Sequence, residues 1–260
     1  MSTVPSDVVV VGGGVAGLSA ATFTARHDLD TLVIDRKGRI PSGSRAQSGY
    51  AGESILRRNA HLENFPGFPA GVNARQLLDL MVEQAEAAGA ARHDATVTEV
   101  TRTDDRSGFA VETAAGDRYR TEYVVAATKN EVGYLDDIDG VGVIERGKAF
   151  VDVDERGRTG VEGLYAAGRL AEKPHQAIVC AGHGAEVAVA ILEDDDRPFY
   201  HDWVAPDGYF TDRGRNLPPG CEEIDETERA QREARSLEMM RDRFAEPHPD
   251  EQETHPSLEE

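Results

Sequence analysis

Apolar and polar residues change their period several times along this chain, and each change predicts an element. Residues 6–35 open with the apolar run Val8-Val9-Val10-Val11, pass a glycine-punctuated turn, continue as an alanine-rich stretch from Val15 to Ala25 and return to an apolar run from Thr31 to Ile34. A run that is apolar at every position is expected for a strand buried on both faces, so strand, helix, strand predicts the opening of a parallel α/β sheet. Residues 36–70 lose this periodicity and carry glycines and prolines, which predicts a long loop. Over residues 73–88 a helical period returns, with Leu77, Leu80 or Met81, Gln84 and Ala88 along one face and Gly89 as the expected stop. The period then falls to two. Val97 and Val100, Phe109–Thr113, Tyr119–Thr121 and Tyr123–Ala127 predict short strands linked by Asp-Asp, Ser-Gly and Gly-Asp turns, a small antiparallel meander.

A second apolar set begins near Ala149 and includes Gly163 to Gly168, expected as a buried strand running into a turn. The helix predicted from Gln176 to Leu192 is rich in small residues, which permit close packing. Glu193 to Asp196 end the globular part, giving a first domain over residues 1–196. Residues 197–245 form a C-terminal extension. Within it Ala230, Ala234, Leu237, Met240 and Phe244 fall at helical spacing, as in a docking helix or a helix laid over its own domain. Residues 246–260 read as a disordered tail by composition. There is no internal repeat.

The chain has 260 residues and a formal net charge of -20, and among its 28 basic residues only Lys37, Lys129, Lys148 and Lys173 are lysines. A carboxylate-rich, lysine-poor surface of this kind resembles that of proteins that work in high salt, and its self-repulsion weakens the fold when salt is removed. A nucleic-acid partner is excluded on charge. No signal sequence and no membrane-length apolar run is read at the N-terminus or elsewhere, so the expected location is cytoplasmic. Cys180 and Cys221 are the only cysteines and do not form a CxxC. No metal-ligand spacing and no hydrolase signature is present.

The candidate chemistry starts at Gly12, Gly14 and Gly17. In a strand–turn–helix context this GxGxxG predicts a dinucleotide site: the first glycine makes the tight turn, the second admits a pyrophosphate to the backbone, and the third lets helix and strand pack closely. The helix N-terminus adds N–H donors and partial positive charge. Asp35 ends the second strand roughly twenty residues on, where a ribose-binding carboxylate is expected. Arg36, Lys37, Arg39, Arg45, Arg57 and Arg58 follow in a stretch whose only acid is Glu53, as in an internal salt-bridge network or an anion site beside the cofactor. His175, His183 and Cys180 lie around the start of the 176–192 helix. His175 and Cys180 are weak catalytic candidates; structural roles for both histidines and an inert buried thiol are the alternatives.

Three segments give these elements a family likeness. His61-Leu62-Glu63-Asn64-Phe65-Pro66-Gly67-Phe68-Pro69 resembles the ENFPGFP signature of the thioredoxin reductases. Val124 to Thr128 stands where that family has an ATG segment. Thr159 to Gly168, with Gln176-Ala177 and Ala181 to Gly184, resembles the late stretch that closes over FAD. The likeness spans roughly residues 6–192. It implies a three-layer, FAD-binding Rossmann-like α/β fold with a parallel sheet, a small antiparallel meander and a C-terminal extension. By motif it implies that Gly12, Gly14, Val15, Ala16 and Gly17 cradle the pyrophosphate, that Asp35 and Arg36 lie at the adenosine ribose, and that Val97 offers backbone contacts to the adenine. Asn64 would lie beside the flavin, Thr128 at the inner crossover, Gly168 and Arg169 at the ribityl and pyrophosphate part, and Gln176 and Ala177 at the start of a helix aimed at the isoalloxazine.

The departures bear on function. The family's NADPH domain, with its own glycine fingerprint and redox CxxC, would be inserted after Thr128, whereas here the chain reaches the Gly163–Gly168 segment directly. Arg169 stands where relatives have an aspartate, and the Gly-Gly-Gln turn before ENFPG is missing. The implied function is FAD-dependent oxidoreduction with unassigned donor and acceptor, and reduction of thioredoxin itself is not expected. A redox partner protein or small-molecule substrate and a homodimer are expected as partners. A non-catalytic flavin- or partner-binding module and a minimal NAD(P)-dependent oxidoreductase remain the alternatives.

Overall fold

The computed structural model describes residues 4–36, 54–105 and 107–253, and the chain divides into two compact units at Asp194–Asp195. Lys37, Arg39, Arg45 and Glu53 lie outside the described residues. The first unit begins β1 (Val4–Val11), α1 (Val15–Arg26), β2 (Thr31–Asp35), α2 (Ala74–Ala87) and β3 (Ala91–Asp94). It continues through β4 (Val97–Arg102), β5 (Phe109–Thr113), β6 (Arg118–Ala126), β7 (Val143–Glu145), β8 (Ala149–Val151), β9 (Leu164–Ala166) and α3 (Ala177–Asp194).

The sheet order is β3-β2-β1-β6-β5-β4, with β9 also paired to β6. β1 lies between β2 and β6, parallel to both, and Val8, Val9 and Val10 are fully buried. This is why the run has no polar position: both faces are covered. β6 divides its outer edge. Residues 118–121 pair antiparallel with β5, while Val124–Ala126 pair parallel with β9. The meander thus leaves the plane of the sheet halfway along one strand and β9 continues it, which produces the third layer.

Val8 and Val10 belong to a core with α1, α2 and α3, whereas Val9 and Val11 belong to a second core with Val100, Phe109, Val111, Leu135 and Leu164. Helices therefore cover one face, and the meander with the 132–153 segment covers the other. α2 is started by Asn73, whose Oδ1 accepts from the amides of Arg75 and Gln76 at 2.9 and 3.3 Å. At its end the amide of Ala90 donates to Ala85 O, closing the helix around Gly89.

Several expected elements take a different form. Tyr119–Thr121 and Tyr123–Ala127 merge into the single strand β6. β3 was not legible, because Ala91-Arg92-His93-Asp94 is polar; it is an edge strand held by parallel pairing with β2. Val97 lies on β4, the second strand after α2 rather than the first.

The second unit, Asp195–Glu251, contains β10 (Trp203–Pro206), β11 (Cys221–Ile224) and α4 (Glu226–Arg243). Trp203, Tyr209 and Phe210 pack edge to face, with ring centroids 4.8 to 5.4 Å apart. The Glu223 carboxylate accepts from the amides of Gly208, Phe210 and Thr211, which closes the turn after β10. α4 has no buried residue. Residues 246–253 carry no helix or strand.

Candidate functional site

The turn between β1 and α1 is shaped by glycines that nothing larger could replace. Gly12 has φ +110°, and a Cβ there would stand 2.7 Å from Ala127 O. A Cβ on Gly17 would stand 1.9 Å from Gly12 O, and one on Gly13 would stand 2.6 Å from Asp35 Oδ2. The Asp35 carboxylate therefore lies against the turn itself, and Gly13, which the glycine spacing did not single out, makes room for it. Gly14 is the N-cap of α1 with no side-chain cap, and the first turn holds no acid. The leading amides of α1 are thus left to an anion, and among the described residues only Ser54 Oγ, at 3.8 Å from its Cβ position, comes near Gly14.

α3 is brought to the same place. A Cβ on Gly184 would stand 2.0 Å from Ala16 O, so the two helices cross at backbone contact. Gly168 (φ +64°) comes as close: a Cβ there would stand 2.6 Å from Ala16 Cβ. The Gly168 amide donates to His183 Nδ1 at 3.0 Å, which ties the turn after β9 to α3. Gly12, Gly14, Val15, Ala16, Gly17, Gly168 and the start of α3 are thereby gathered at one end of the sheet.

Asn64 joins them, since its Nδ2 donates to Gln176 Oε1 at 2.8 Å, linking the ENFPG loop to the residue before α3. Phe65 and Phe68 of that loop pack at 6.2 Å between centroids and rest on the helical core. Thr128 Oγ1 donates to Glu131 O at 2.7 Å and meets Tyr134 OH at 2.9 Å, and burial pushes the Tyr134 phenol upward. The Ala95 amide donates to Asp35 O at 2.9 Å, placing the connection from β3 to Val97 beside the end of β2. Val97 itself packs into the meander core. Arg36, half-buried, follows Asp35 at the edge of the described residues.

The weak catalytic candidates have contrasting surroundings. Cys180 is buried, burial pushes its thiol up, and Sγ donates to Pro174 O at 3.5 Å; it is a packed thiol rather than a thiolate. His183 is buried, and burial pushes its pKa down to about 4, so it is a neutral acceptor for Gly168. His175 stays exposed. Desolvation, then the charges of Lys129, Arg169, Lys148 and Arg58, depress its pKa.

That set of cations was not legible as a group, because its members are far apart in sequence. Asn130 Nδ2 donates to Ala149 O at 3.0 Å, which places Lys129 and Lys148 on adjoining segments. The Arg169 guanidinium lies 4.7 Å above the Phe150 ring and donates to Lys173 O at 3.2 Å. Of the predicted arginine cluster, Arg58 is found within this group, and Lys37, Arg39 and Arg45 lie outside the described residues. Among the described residues no His, Cys, Asp or Glu cluster is arranged to hold a metal, and no helix is long and apolar enough to cross a membrane.

Residues 7–88 match the family model described as an FAD binding domain. The thioredoxin reductase of Listeria monocytogenes is 33% identical over 125 residues, 48% of this chain and 34% of that protein. That of Treponema pallidum is 34% identical over 125 residues, 48% of this chain and 36% of that protein. The match thus spans about a third of the length of these curated relatives. Among solved structures, a thioredoxin reductase from Gloeobacter violaceus superposes with TM-score 0.59 at 18% identity, covering 78% of this chain and 100% of that one. The atypical thioredoxin reductase of Desulfovibrio vulgaris gives TM-score 0.56 at 19% identity, covering 72% and 97%. The fold is that of the FAD-binding part of thioredoxin reductases, and the family-model match over residues 7–88 indicates FAD as the cofactor. The residues fit that group: Gly12, Gly13 and Gly17 leave no room for a Cβ, the start of α1 carries no side-chain cap, and Asp35 sits against the turn.

Proposed function

We propose, taking the FAD-binding match over residues 7–88 as the premise, that this chain is an FAD-dependent oxidoreductase whose electrons come from a donor outside the chain. The observation that carries this reading is the convergence of the starts of α1 and α3 on Gly168, with Asn64 joined to Gln176 beside them. FAD, when bound, supplies hydride or electron transfer at its isoalloxazine ring. The chain's own residues hold and orient it: the leading amides of α1 receive the diphosphate, Asp35 accepts from the adenosine ribose, and Thr128 is fixed by Glu131 and Tyr134 at the crossover. The start of α3, with no acid in its first turn, favours negative charge at the ring.

The two cysteines offer no dithiol route. They do not form a CxxC, and burial keeps the Cys180 thiol protonated. Thioredoxin reduction is therefore not the proposed reaction. Ile178 and Val179 are exposed at the start of α3, 37% and 39% accessible, where a redox partner protein or a second copy would shield the ring from oxygen.

The test is the visible spectrum of protein purified in high salt, followed by anaerobic addition of NADPH and of NADH. A yellow protein bleached by either is expected. A yellow protein that neither they nor any physiological donor reduces would reassign the chain as a flavin-binding module. A colourless one unable to take up added FAD would overturn the reading.

A further inference from the structure

The chain's lysines are few, yet Lys129 and Lys148 are brought to one place with Arg169. Three contacts build that place. Asn130 reaches Ala149 O, joining the segment after β6 to β8; Arg169 lies flat over Phe150, the next residue of β8; and Gly168 presses on Ala16, setting Arg169 beside the glycine turn. The Asn64–Gln176 bond holds the ENFPG loop against the residue that follows His175.

What distinguishes this cluster is that its three cations make no ion pair, although the charge of Glu131 favours the Lys129 ammonium. Elsewhere arginines of this acidic chain meet carboxylates: Arg118 with Glu112, Arg120 with Asp105, Arg158 with Asp194, Arg232 with Glu222 and Glu228. Among the described residues Lys129, Lys148 and Arg169 have no carboxylate at ion-pair distance. Lys129 is half-buried with φ +66°, and desolvation, then the charges of Arg58, Lys148 and Arg169, depress its ammonium against the opposing charge of Glu131. Gathering like charges without an ion-pair partner is unfavourable in the free protein, and an anion seated among them removes that cost. Arg169 is suited to this role because stacking on Phe150 and the bond to Lys173 O fix its guanidinium plane while leaving donors for an oxyanion.

We propose that Lys129, Lys148 and Arg169, with Arg58 and His175 at its edge, form a binding site for the phosphate of a small phosphorylated ligand, distinct from the diphosphate cradle at α1. The site is built largely from the segment between Thr128 and β9. It goes beyond the cofactor reading, since it needs no flavin to be present.

The probe is inorganic pyrophosphate, titrated calorimetrically in potassium chloride into the full chain loaded with FAD, which occupies the α1 cradle. Binding to the unsubstituted protein is expected, with about tenfold weaker affinity for Lys148→Gln and a further loss for Lys129→Gln/Lys148→Gln, each step the size of one charge-assisted hydrogen bond. Lys148 is exposed, so its single substitution does not endanger folding. Arg229→Gln, which removes a cation from α4, should leave the affinity unchanged. Equal affinity in the unsubstituted and doubly substituted proteins would overturn the site, as would no binding at all. Lysine-dependent binding seen only before FAD is loaded would overturn its distinctness and give these cations to the cofactor's own diphosphate. If the chain takes up no FAD, the cofactor reading fails, and lysine-dependent pyrophosphate binding by the same protein still supports the site.

Discussion

α3 and α4 are each 18 residues long and are stabilised in opposite ways. α3 buries Cys180, Ala181, His183, Gly184, Val187, Ala188, Ala190, Ile191 and Leu192, and has no charged side chain between Ala177 and Ala185. Its position is set by backbone contact with α1. α4 buries nothing and is held by local devices: Asp225 Oδ1 accepts from Glu228 N at 2.8 Å, Glu226 and Glu228 occupy the first turn, and Arg241 and Arg243 occupy the last. A helix fixed by packing can present its first turn to a ligand at a defined place, and one fixed by its own sequence can sit in water. The difference predicts that damage to α3 is large and reaches the cofactor, whereas damage to α4 is small and stays local.

The largest effect is expected at Gly184. Because the Cβ position lies 2.0 Å from Ala16 O, a backbone atom that cannot turn aside, Gly184→Ala should separate α3 from α1 and cost about 1–3 kcal/mol or more. Gly184→Val should abolish flavin retention. Thermal unfolding followed by flavin absorbance checks both. An alanine variant of undiminished midpoint would break the view that packing positions α3.

The second effect is acid-dependent and belongs to the same helix. His183 titrates near 6.5 when unfolded and at about 4 in the fold, where burial and then Lys173 oppose its charge and Asp154 favours it. The unfolded chain takes the proton first as pH falls. The stabilisation is therefore complete above about pH 6.5 and lost towards pH 4, about 3 kcal/mol in all. His183→Asn retains an acceptor for the Gly168 amide and should unfold with a shallower dependence between those values. Equal slopes in the two proteins would remove His183 as the cause.

These contrasts also explain what could be read from the chain beforehand. The glycine turn was legible because backbone constraints fall on consecutive residues: φ at Gly12 and close approach at Gly17 must be met where they occur. β1 was legible because burial on both faces leaves no polar position. β3 was not, because an edge strand satisfied by one neighbour needs no apolar signature. The alliance of Lys129, Lys148 and Arg169 was invisible for a further reason. It depends on Asn130 meeting Ala149 O and on Arg169 meeting Phe150, long-range contacts that spacing does not encode.

Smaller effects should fall on α4. Asp225→Ala removes the side-chain acceptor for the first turn and should cost about 1 kcal/mol of local stability. Trp203 is the only tryptophan and lies in the second unit, so its fluorescence follows that unit while flavin absorbance follows the first. The midpoint read by fluorescence should fall, and that read by flavin should not.

The smallest effect is expected for Arg232→Gln. Arg232 joins Glu222 of β11 at 2.7 Å to Glu228 of α4 at 2.6 Å, so it is the described ion pair that ties α4 to the sheet of its own unit. All three side chains are exposed, and exposed pairs are weakened by solvent and by added salt. The substitution should therefore lower the fluorescence midpoint slightly at low salt and leave it unchanged at molar salt, with no change in flavin absorbance at either. The salt dependence carries the argument: a loss that persisted in molar salt would mean that Arg232 acts through packing of its aliphatic stem, and α4 would then share with α3 the mode of stabilisation that its exposure denies.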